Sequence, residues 1–222
     1  MNPFEEGQVI LINKPIGWTS ADVVKRIRNQ IHAKVGHAGT LDPLATGLLI
    51  LCTGKFTKKI NEYMSQEKEY TGTITLGATT ASYDLETNPE NLKDFSHVDS
   101  ASLLEVSKKF TGEIIQVPPV YSAIKKNGVR SYDLARQGRA VSLEGRKVFI
   151  KEFEMHILEL PFISFRVVCS TGTYIRSLAN DVGQFLVCGA YLSSLCRTRI
   201  GNYRLENAID PGVAGIIIKT DN

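Results

Sequence analysis

Two stretches of this 222-residue chain gather side chains able to do chemistry. The first is Gly36-His37-Ala38-Gly39-Thr40-Leu41-Asp42-Pro43-Leu44-Ala45-Thr46-Gly47-Leu48-Leu49, in which three glycines surround one carboxylate and one imidazole. Pro43 restricts Asp42 to extended or turn backbone. Such a loop holds a side chain at the rim of a cleft, where reactions usually occur. A carboxylate held there serves as a nucleophile, as a base, or as a stabiliser of developing positive charge. Asp is also favoured in plain turns, so Asp42-Pro43 reads equally as a turn or a helix cap. The second stretch is Cys169-Ser170-Thr171-Gly172-Thr173-Tyr174-Ile175-Arg176-Ser177-Leu178, where a strand gives way to a small polar turn and then a helix. Arg176 falls in the first helical turn, where the helix dipole opposes a cation by about a few tenths of a kcal/mol. That placement predicts an acidic partner, a solvent contact being the alternative.

The elements that must position these residues follow from periodicity. Val9–Ile12 is a short apolar run read as a buried strand. Lys14-Pro15-Ile16-Gly17 breaks it, and Ser20 is placed to cap a helix from Ala21 to about Ala33. Val23, Val24, Ile27 and Ile31 form its apolar stripe, and Lys25, Arg26 and Arg28 its charged face. Leu48–Cys52 is a second apolar run. Tyr70–Leu76 alternates as a strand, with Thr71, Thr73 and Thr75 on one face and Gly72, Ile74 and Leu76 on the other. Residues 82–98 are polar and acidic and read as loop. Asp99 or Ser100 caps a helix through Phe110, and Val117-Pro118-Pro119-Val120 is extended. Ser131–Arg136 is a short helix, Lys147–Ile157 and Ser164–Cys169 are strands, and Thr173–Leu186 is a helix burying Ile175, Leu178, Val182 and Phe185. Strands and helices mix without a strict βαβ rhythm, which favours an α+β fold around a mostly antiparallel mixed sheet flanked by helices and loops.

Composition narrows the class. With 43% hydrophobic and 22% charged residues the chain is ordinary globular material. The net charge of +3 says little by itself, but its distribution is uneven. Lys55, Lys58, Lys59 and Lys68 fall within residues 54–70, and Lys125, Lys126, Arg130, Arg136, Arg139, Arg146, Lys147 and Lys151 within 125–151, while acids crowd into 84–105. Such clustering suits a polyanionic partner, or else a solvated charged face. Cys52, Cys169, Cys188 and Cys196 include no C-x-x-C pair, which argues against a disulfide framework or a zinc site. The start lacks a leader pattern and no apolar run reaches the ~20 residues of a membrane span, so a cytoplasmic protein with no membrane partner is expected.

The run Gly36–Leu49 closely resembles the signature loop of the TruB family of transfer-RNA pseudouridine synthases. Further landmarks of that family occur in order: Asn13-Lys14-Pro15-Ile16-Gly17-Trp18-Thr19-Ser20, Lys68-Glu69-Tyr70, Pro118-Pro119-Val120-Tyr121-Ser122-Ala123, Gly172-Thr173-Tyr174-Ile175-Arg176 and Tyr191-Leu192-Ser193-Ser194-Leu195-Cys196-Arg197-Thr198. Together they span roughly residues 9–210. The resemblance implies the pseudouridine synthase catalytic fold and an isomerisation of uridine-55 in the TΨC loop of tRNA. The N-glycosidic bond breaks, the uracil turns over, and C5 joins C1′. No atom is gained or lost, so no cofactor is expected.

By the same resemblance, Asp42 is the essential carboxylate and Arg176 the arginine that pairs with it. An adjacent guanidinium favours the ionised carboxylate and fixes its direction. Tyr70 stacks on the target base and is a candidate for removing the C5 proton. His37 contacts the displaced nucleotide, Leu195 lines the base pocket, Tyr174 belongs to the substrate-binding set, and Lys14 supports the catalytic loop. Without the resemblance, Tyr70 reads as a core tyrosine, His37 as an ordinary loop histidine, and Leu192 and Leu195 as core positions. The target base lies inside a folded RNA loop and must be flipped out, at a cost of about a few kcal/mol. The expectation is that Asp42 and Arg176 meet at the bottom of a positively lined groove beside Tyr70.

Residues 1–210 are expected to form one catalytic domain, with a thumb at about 121–151 that closes over the T arm and is poorly ordered without RNA. By the resemblance, residues 211–222 are expected to form a tail in place of the C-terminal RNA-binding domain common in bacterial members. A monomer acting without a guide RNA is expected. Two other readings compete. A glycoside or nucleoside hydrolase would need a second acid beside Asp42, and no other Gly-rich loop supplies one. A pure RNA-binding module would have no use for both Asp42 and Arg176.

Overall fold

The computed structural model describes residues 2–122, 125–126, 129–132 and 143–212, the pairs 125–126 and 129–130 by backbone only. The chain divides into two compact units, residues 1–70 with 195–222 and residues 71–194. The fold is α+β with a mostly antiparallel mixed sheet.

The first unit is built around β3 (Thr46–Thr53), whose apolar run is buried on both faces. β1 (Val9–Lys14) pairs with it antiparallel, from Val9↔Cys52 to Lys14↔Gly47. β2 (Val35–His37) also pairs antiparallel, placing His37 opposite Leu51. β10 (Ala190–Ile200) joins it in parallel at Cys196↔Thr46 and Arg197↔Gly47. One face of β3, Leu49 and Leu51, packs under α2 (Ser20–Ile31) against Val23, Ile27 and Ile31. The other face, Leu48, Ile50 and Cys52, packs with Ala38 and Ile200. Each such side chain contributes about 1.5–3 kcal/mol on burial. Around this core lie α1 (Pro3–Glu6), a 3-10 turn (Gly54–Lys59), α3 (Ile60–Met64), the first residues of β4 (Lys68–Leu76) and β11 (Tyr203–Arg204).

The second unit takes the rest of β4, α4 (Ser100–Phe110), β5 (Gly112–Gln116), β6 (Lys125–Lys126), β7 (Val129–Arg130), β8 (Arg146–Glu159), β9 (Phe162–Cys169), α5 (Ile175–Phe185) and the start of β10. Its strands run β10-β4-β9-β8-β5. β8 and β9 form a long hairpin, Met155 opposite Phe165, and β5 pairs antiparallel with β8. α5 buries Ile175, Leu178, Ala179 and Val182. No helix among the described residues is long and apolar enough to cross a membrane.

Several boundaries differ from the sequence reading, each for a local reason. Thr19, not Ser20, caps α2. The amide of Asp22 donates to Thr19 Oγ1 and the amide of Thr19 donates to Asp22 Oδ2, a reciprocal capping box. The helix stops at Ile31 because His32 turns left-handed, φ +52°. α5 begins at Ile175 rather than Thr173, since the Thr173 hydroxyl is occupied donating to the Ser170 carbonyl in the preceding turn. Phe185, expected in the core, is 42% exposed at the helix end and meets Phe110 edge-on, and Leu186 takes the buried place. The helix expected at Ser131–Arg136 is described only at Ser131 and Tyr132, and residues 133–142 and 213–222 lie outside the described residues. So does most of the segment for which thumb behaviour was expected.

Candidate functional site

In the first unit the loop carrying Asp42 runs between the paired ends of β2 and β3. Ala38, Leu41 and Ala45 are buried and pin it to the core, while Asp42 between them is half-buried. A turn closes over Asp42-Pro43-Leu44-Ala45, the amide of Ala45 donating to the Asp42 carbonyl at 3.1 Å. Directly before Asp42, the backbone of Leu41 is held on both sides by one hydroxyl. Its amide donates to Ser20 Oγ at 2.9 Å and its carbonyl accepts from that hydroxyl at 3.2 Å. Ser20, expected as a cap, is thus a clamp from the first turn of α2.

Two buried cations brace the same loop. Lys14, at the end of β1, is fully buried, and its ammonium donates to the carbonyls of Pro15, Trp18 and Pro43 at 3.0, 2.6 and 3.3 Å. The Gly17 amide donates to the same Pro43 carbonyl at 2.8 Å. Burial pushes the Lys14 amine down to about 8, an effect deepened by the Arg197 charge and opposed by the attraction of Asp42 and Asp22. Arg197, on β10, is equally enclosed. Its Nε donates to the Leu48 carbonyl at 2.8 Å and its Nη2 to the Gly39 carbonyl at 3.1 Å. Three separate segments, β1, α2 and β10, therefore fix the backbone on either side of Asp42.

Gly47 explains how β10 comes so close. Its φ is +101°, and a Cβ there would sit 2.4 Å from the Arg197 carbonyl oxygen, 2.7 Å from the Arg197 amide nitrogen and 2.9 Å from Cys196 Sγ. Only glycine permits that approach. Leu195, next along β10, is half-buried and gives its carbonyl to the Thr46 hydroxyl at 3.3 Å. His37 is half-buried. Burial, then the Arg197 charge, lower its imidazole below the ordinary value with the Gly39 backbone opposing, so it is neutral at pH 7. Tyr70 is buried on β4, beside Glu69, whose carboxylate accepts from the Thr198 hydroxyl of β10 at 2.7 Å.

Tyr174 and Arg176 belong to the second unit. Arg176 is 4% exposed, donates to the Ser82 carbonyl at 3.1 Å, and faces Asp84 with Nε 3.7 Å from Oδ2. This is the acid that its place against the helix dipole demands. The segment holding Asp84 is itself fixed. The Glu86 amide donates to Asp84 Oδ1, the Ser82 hydroxyl donates to the Asp84 carbonyl, and the Thr87 amide donates to Ser82 Oγ. Tyr174 precedes α5 and is gripped at both backbone atoms by the fully buried Gln116 side chain. The Tyr174 amide donates to Gln116 Oε1 at 2.8 Å, and Gln116 Nε2 donates to the Tyr174 carbonyl at 3.0 Å. The Arg146 guanidinium lies 4.7 Å over the Tyr174 ring and donates to the Gly172 carbonyl at 2.5 Å.

The structure thus groups Asp42, His37, Lys14, Tyr70 and Leu195 in one unit and Tyr174 with Arg176 in the other. Sequence reasoning missed Arg197 as a brace, Ser20 as a clamp, and Ser82, Asp84 and Gln116 as the seat of the α5 start. The available signal was a polar or charged residue amid apolar neighbours, as at Cys196-Arg197 and Ile115-Gln116-Val117. The four cysteines are free thiols, and among the described residues no three His, Cys, Asp or Glu side chains gather as a metal site would require. Chemically, the first unit offers a carboxylate on a loop braced by two buried cations, with an imidazole of lowered basicity on the adjoining strand.

Comparison with known proteins gives the family. Residues 25–175 match the TruB family pseudouridylate synthase (N terminal domain). A protein of Flavobacterium johnsoniae named tRNA pseudouridine synthase B is 53% identical over 220 residues, covering 95% of this chain and 96% of that one. Its namesake in Bacteroides fragilis is 50% identical over 215 residues, covering 94% and 92%. Among solved structures, a chain of a Cbf5-Nop10-Gar1 complex superposes with a TM-score of 0.72 at 32% identity, covering 93% of this chain and 53% of that one. A chain of an H/ACA RNP bound to a substrate RNA containing 2'-deoxyuridine gives 0.68 at 29%, covering 93% and 51%. The chain spans about half the length of these solved relatives.

Proposed function

The chain belongs to the TruB family of pseudouridylate synthases, and from that premise we propose that it converts uridine-55 in the TΨC loop of tRNA to pseudouridine with Asp42 as the essential carboxylate. The coarser statement, a tRNA pseudouridine synthase and hence an isomerase, follows from relatives about half identical over nearly their whole length. The observation that carries the finer one is the bracing of Asp42. Fixing a reacting group before the substrate arrives avoids the ordering cost at the moment of reaction. Ser20, Lys14 and Arg197 together do this for the backbone around Asp42. The positive charge of Lys14 and Arg197 also favours an anionic partner in the loop above them.

The remaining roles follow the resemblance. Arg176 is the cation that serves Asp42, and Asp84 holds it in readiness. Tyr70 stacks on the uracil and takes the C5 proton, and Leu195 lines the pocket. His37, uncharged, contacts the displaced nucleotide, and Tyr174 contacts the RNA beside Arg176. Lys14 supports the loop and does not react. The bond cleaved is N1–C1′ and the bond formed is C5–C1′, with the C5 proton leaving and N1 regaining one, so atoms and charge balance without a cofactor.

We take residues 1–210 as one catalytic domain with a thumb at about 121–151, acting in the cytoplasm as a monomer. The RNA is a direct substrate without a guide, since the tRNA enzymes are far closer in sequence than the chains from H/ACA complexes. The test is to mix the purified protein with an unmodified T-arm stem-loop and map pseudouridine chemically. Asp42→Asn is expected to bind the stem-loop and form no product. Turnover unchanged in that variant would remove Asp42 from its role.

A further inference from the structure

Beside the Asp42 loop, α2 presents a feature that the proposed chemistry does not use. Gly17, Trp18, Asp22, Lys25, Arg26 and Asn29 line a shallow groove of about 460 Å³. Asp22, Lys25, Arg26 and Asn29 stand at helical spacing i, i+3, i+4 and i+7, so they form one stripe along the helix. The stripe's charge is not balanced. The Asp22 carboxylate is engaged, accepting from the Thr19 amide at 2.9 Å and the Thr19 hydroxyl at 2.6 Å in the capping box. Lys25 has no hydrogen-bond or ion-pair partner among the described residues, and Arg26 reaches only the Pro211 carbonyl, at 3.4 Å. Arg28, one turn on from Lys25, adds a third exposed cation.

The groove's position gives this charge a purpose. It begins at Gly17 and Trp18, and both backbones are tied to the Asp42 loop. The Gly17 amide donates to the Pro43 carbonyl, and the Lys14 ammonium bridges the carbonyls of Trp18 and Pro43. The mouth of the groove is therefore joined directly to the loop that carries Asp42. A cationic, amide-bearing channel suits a ribose-phosphate backbone. The lysine and arginine neutralise phosphates, and Asn29 offers hydrogen bonds to sugar or phosphate oxygens. We propose that this α2 groove holds the backbone of the substrate RNA adjoining the target nucleotide. The proposal rests on the function proposed above and extends it by locating a phosphate-binding track outside the reaction centre.

The test is equilibrium binding of an unmodified T-arm stem-loop by fluorescence anisotropy over a range of salt concentrations. It compares the wild type with Lys25→Gln and with the double variant Lys25→Gln/Arg26→Gln. Each lost phosphate contact removes roughly 0.7–0.9 from the slope of log affinity against log salt. The double variant is expected to show a slope smaller by about 1.4–1.8 and a Kd about tenfold higher at about 0.1 M salt. Arg26→Gln also removes the bond to Pro211, so the unfolding midpoint is measured alongside. Should the double variant unfold, Lys25→Gln alone still carries the test, with half the slope change. Replacing Lys108 and Lys109 at the end of α4 with Gln controls for net charge. Wild-type slope and Kd in Lys25→Gln, or an equal change in the α4 control, would overturn the proposal. Because affinity and product are measured separately, absence of pseudouridine in the wild type would count against the function alone. Product formed with an unchanged slope would count against the groove alone.

Discussion

Gly47→Ala isolates the approach of β10 to the Asp42 loop, and Gly112→Ala provides its matched control. The two glycines share almost the same positive φ, +101° and +99°. An alanine at either position has the strain of a left-handed conformation, about 1–3 kcal/mol. They differ in what the new methyl meets. At Gly112 nothing lies within 4 Å, whereas at Gly47 the backbone oxygen and nitrogen of Arg197 lie at 2.4 and 2.7 Å. The nearer distance falls about 1 Å short of van der Waals contact, and backbone in a paired strand has no rotamer by which to escape. β3 and β10 must part at Thr46–Gly47, losing ladder bonds of about 0.5–1.5 kcal/mol each. Gly112→Ala is therefore expected to lose about 1–3 kcal/mol, and Gly47→Ala at least about 2 kcal/mol more. Against a total of about 5–15 kcal/mol this is readily measured. Equilibrium urea unfolding gives both values, and single-turnover rates on folded protein report whether the loop has lost its brace. Equal losses in the two variants would refute the argument, because strain alone would then account for Gly47.

Two further outcomes follow from buried charge. Asp84→Asn takes away the carboxylate facing Arg176 in a site where both are nearly buried, and a stability loss of about 3–5 kcal/mol is expected by chemical denaturation, with turnover falling as well. Burial raises the Asp181 carboxyl to about 6, a hydrogen bond from Asn180 opposing. A folded value above the unfolded one means that the group's stabilising contribution is complete below about pH 4 and is lost as pH rises through about 6. Asp181→Asn is thus expected to flatten the fall in unfolding midpoint between pH 4 and 6 and to raise the midpoint at pH 7.5, as thermal scans across that range would read.

What the sequence made legible was mostly local. The α2 stripe, the apolar run that became β3, the Asp99 cap and the pairing of a Gly-rich loop with one carboxylate are all readable within a window of a dozen residues. What it hid depends on contacts distant along the chain. Arg197 braces a loop nearly 160 positions earlier, and nothing around Cys196-Arg197 announces the parallel pairing that brings it there. The stretch 82–98 does lack helix and strand, as its polar and acidic composition suggested, yet Ser82 and Asp84 within it are buried. Charge predicts exposure unless a buried counter-charge awaits it, and Arg176 supplies one from α5. Ser20 shows the same limit at a finer scale. Ser and Thr both cap helices, so the choice between Thr19 and Ser20 was settled only by Leu41, whose backbone claims the serine.

The hold on Tyr174 has a mechanical corollary. Residues 117–145 leave the sheet at Gln116 and return to it at Arg146, and both of these side chains terminate on the same tyrosine. Both described ends of the excursion are thus tied to one tyrosine, two residues ahead of Arg176, so a shift of either strand end displaces the start of α5 with it.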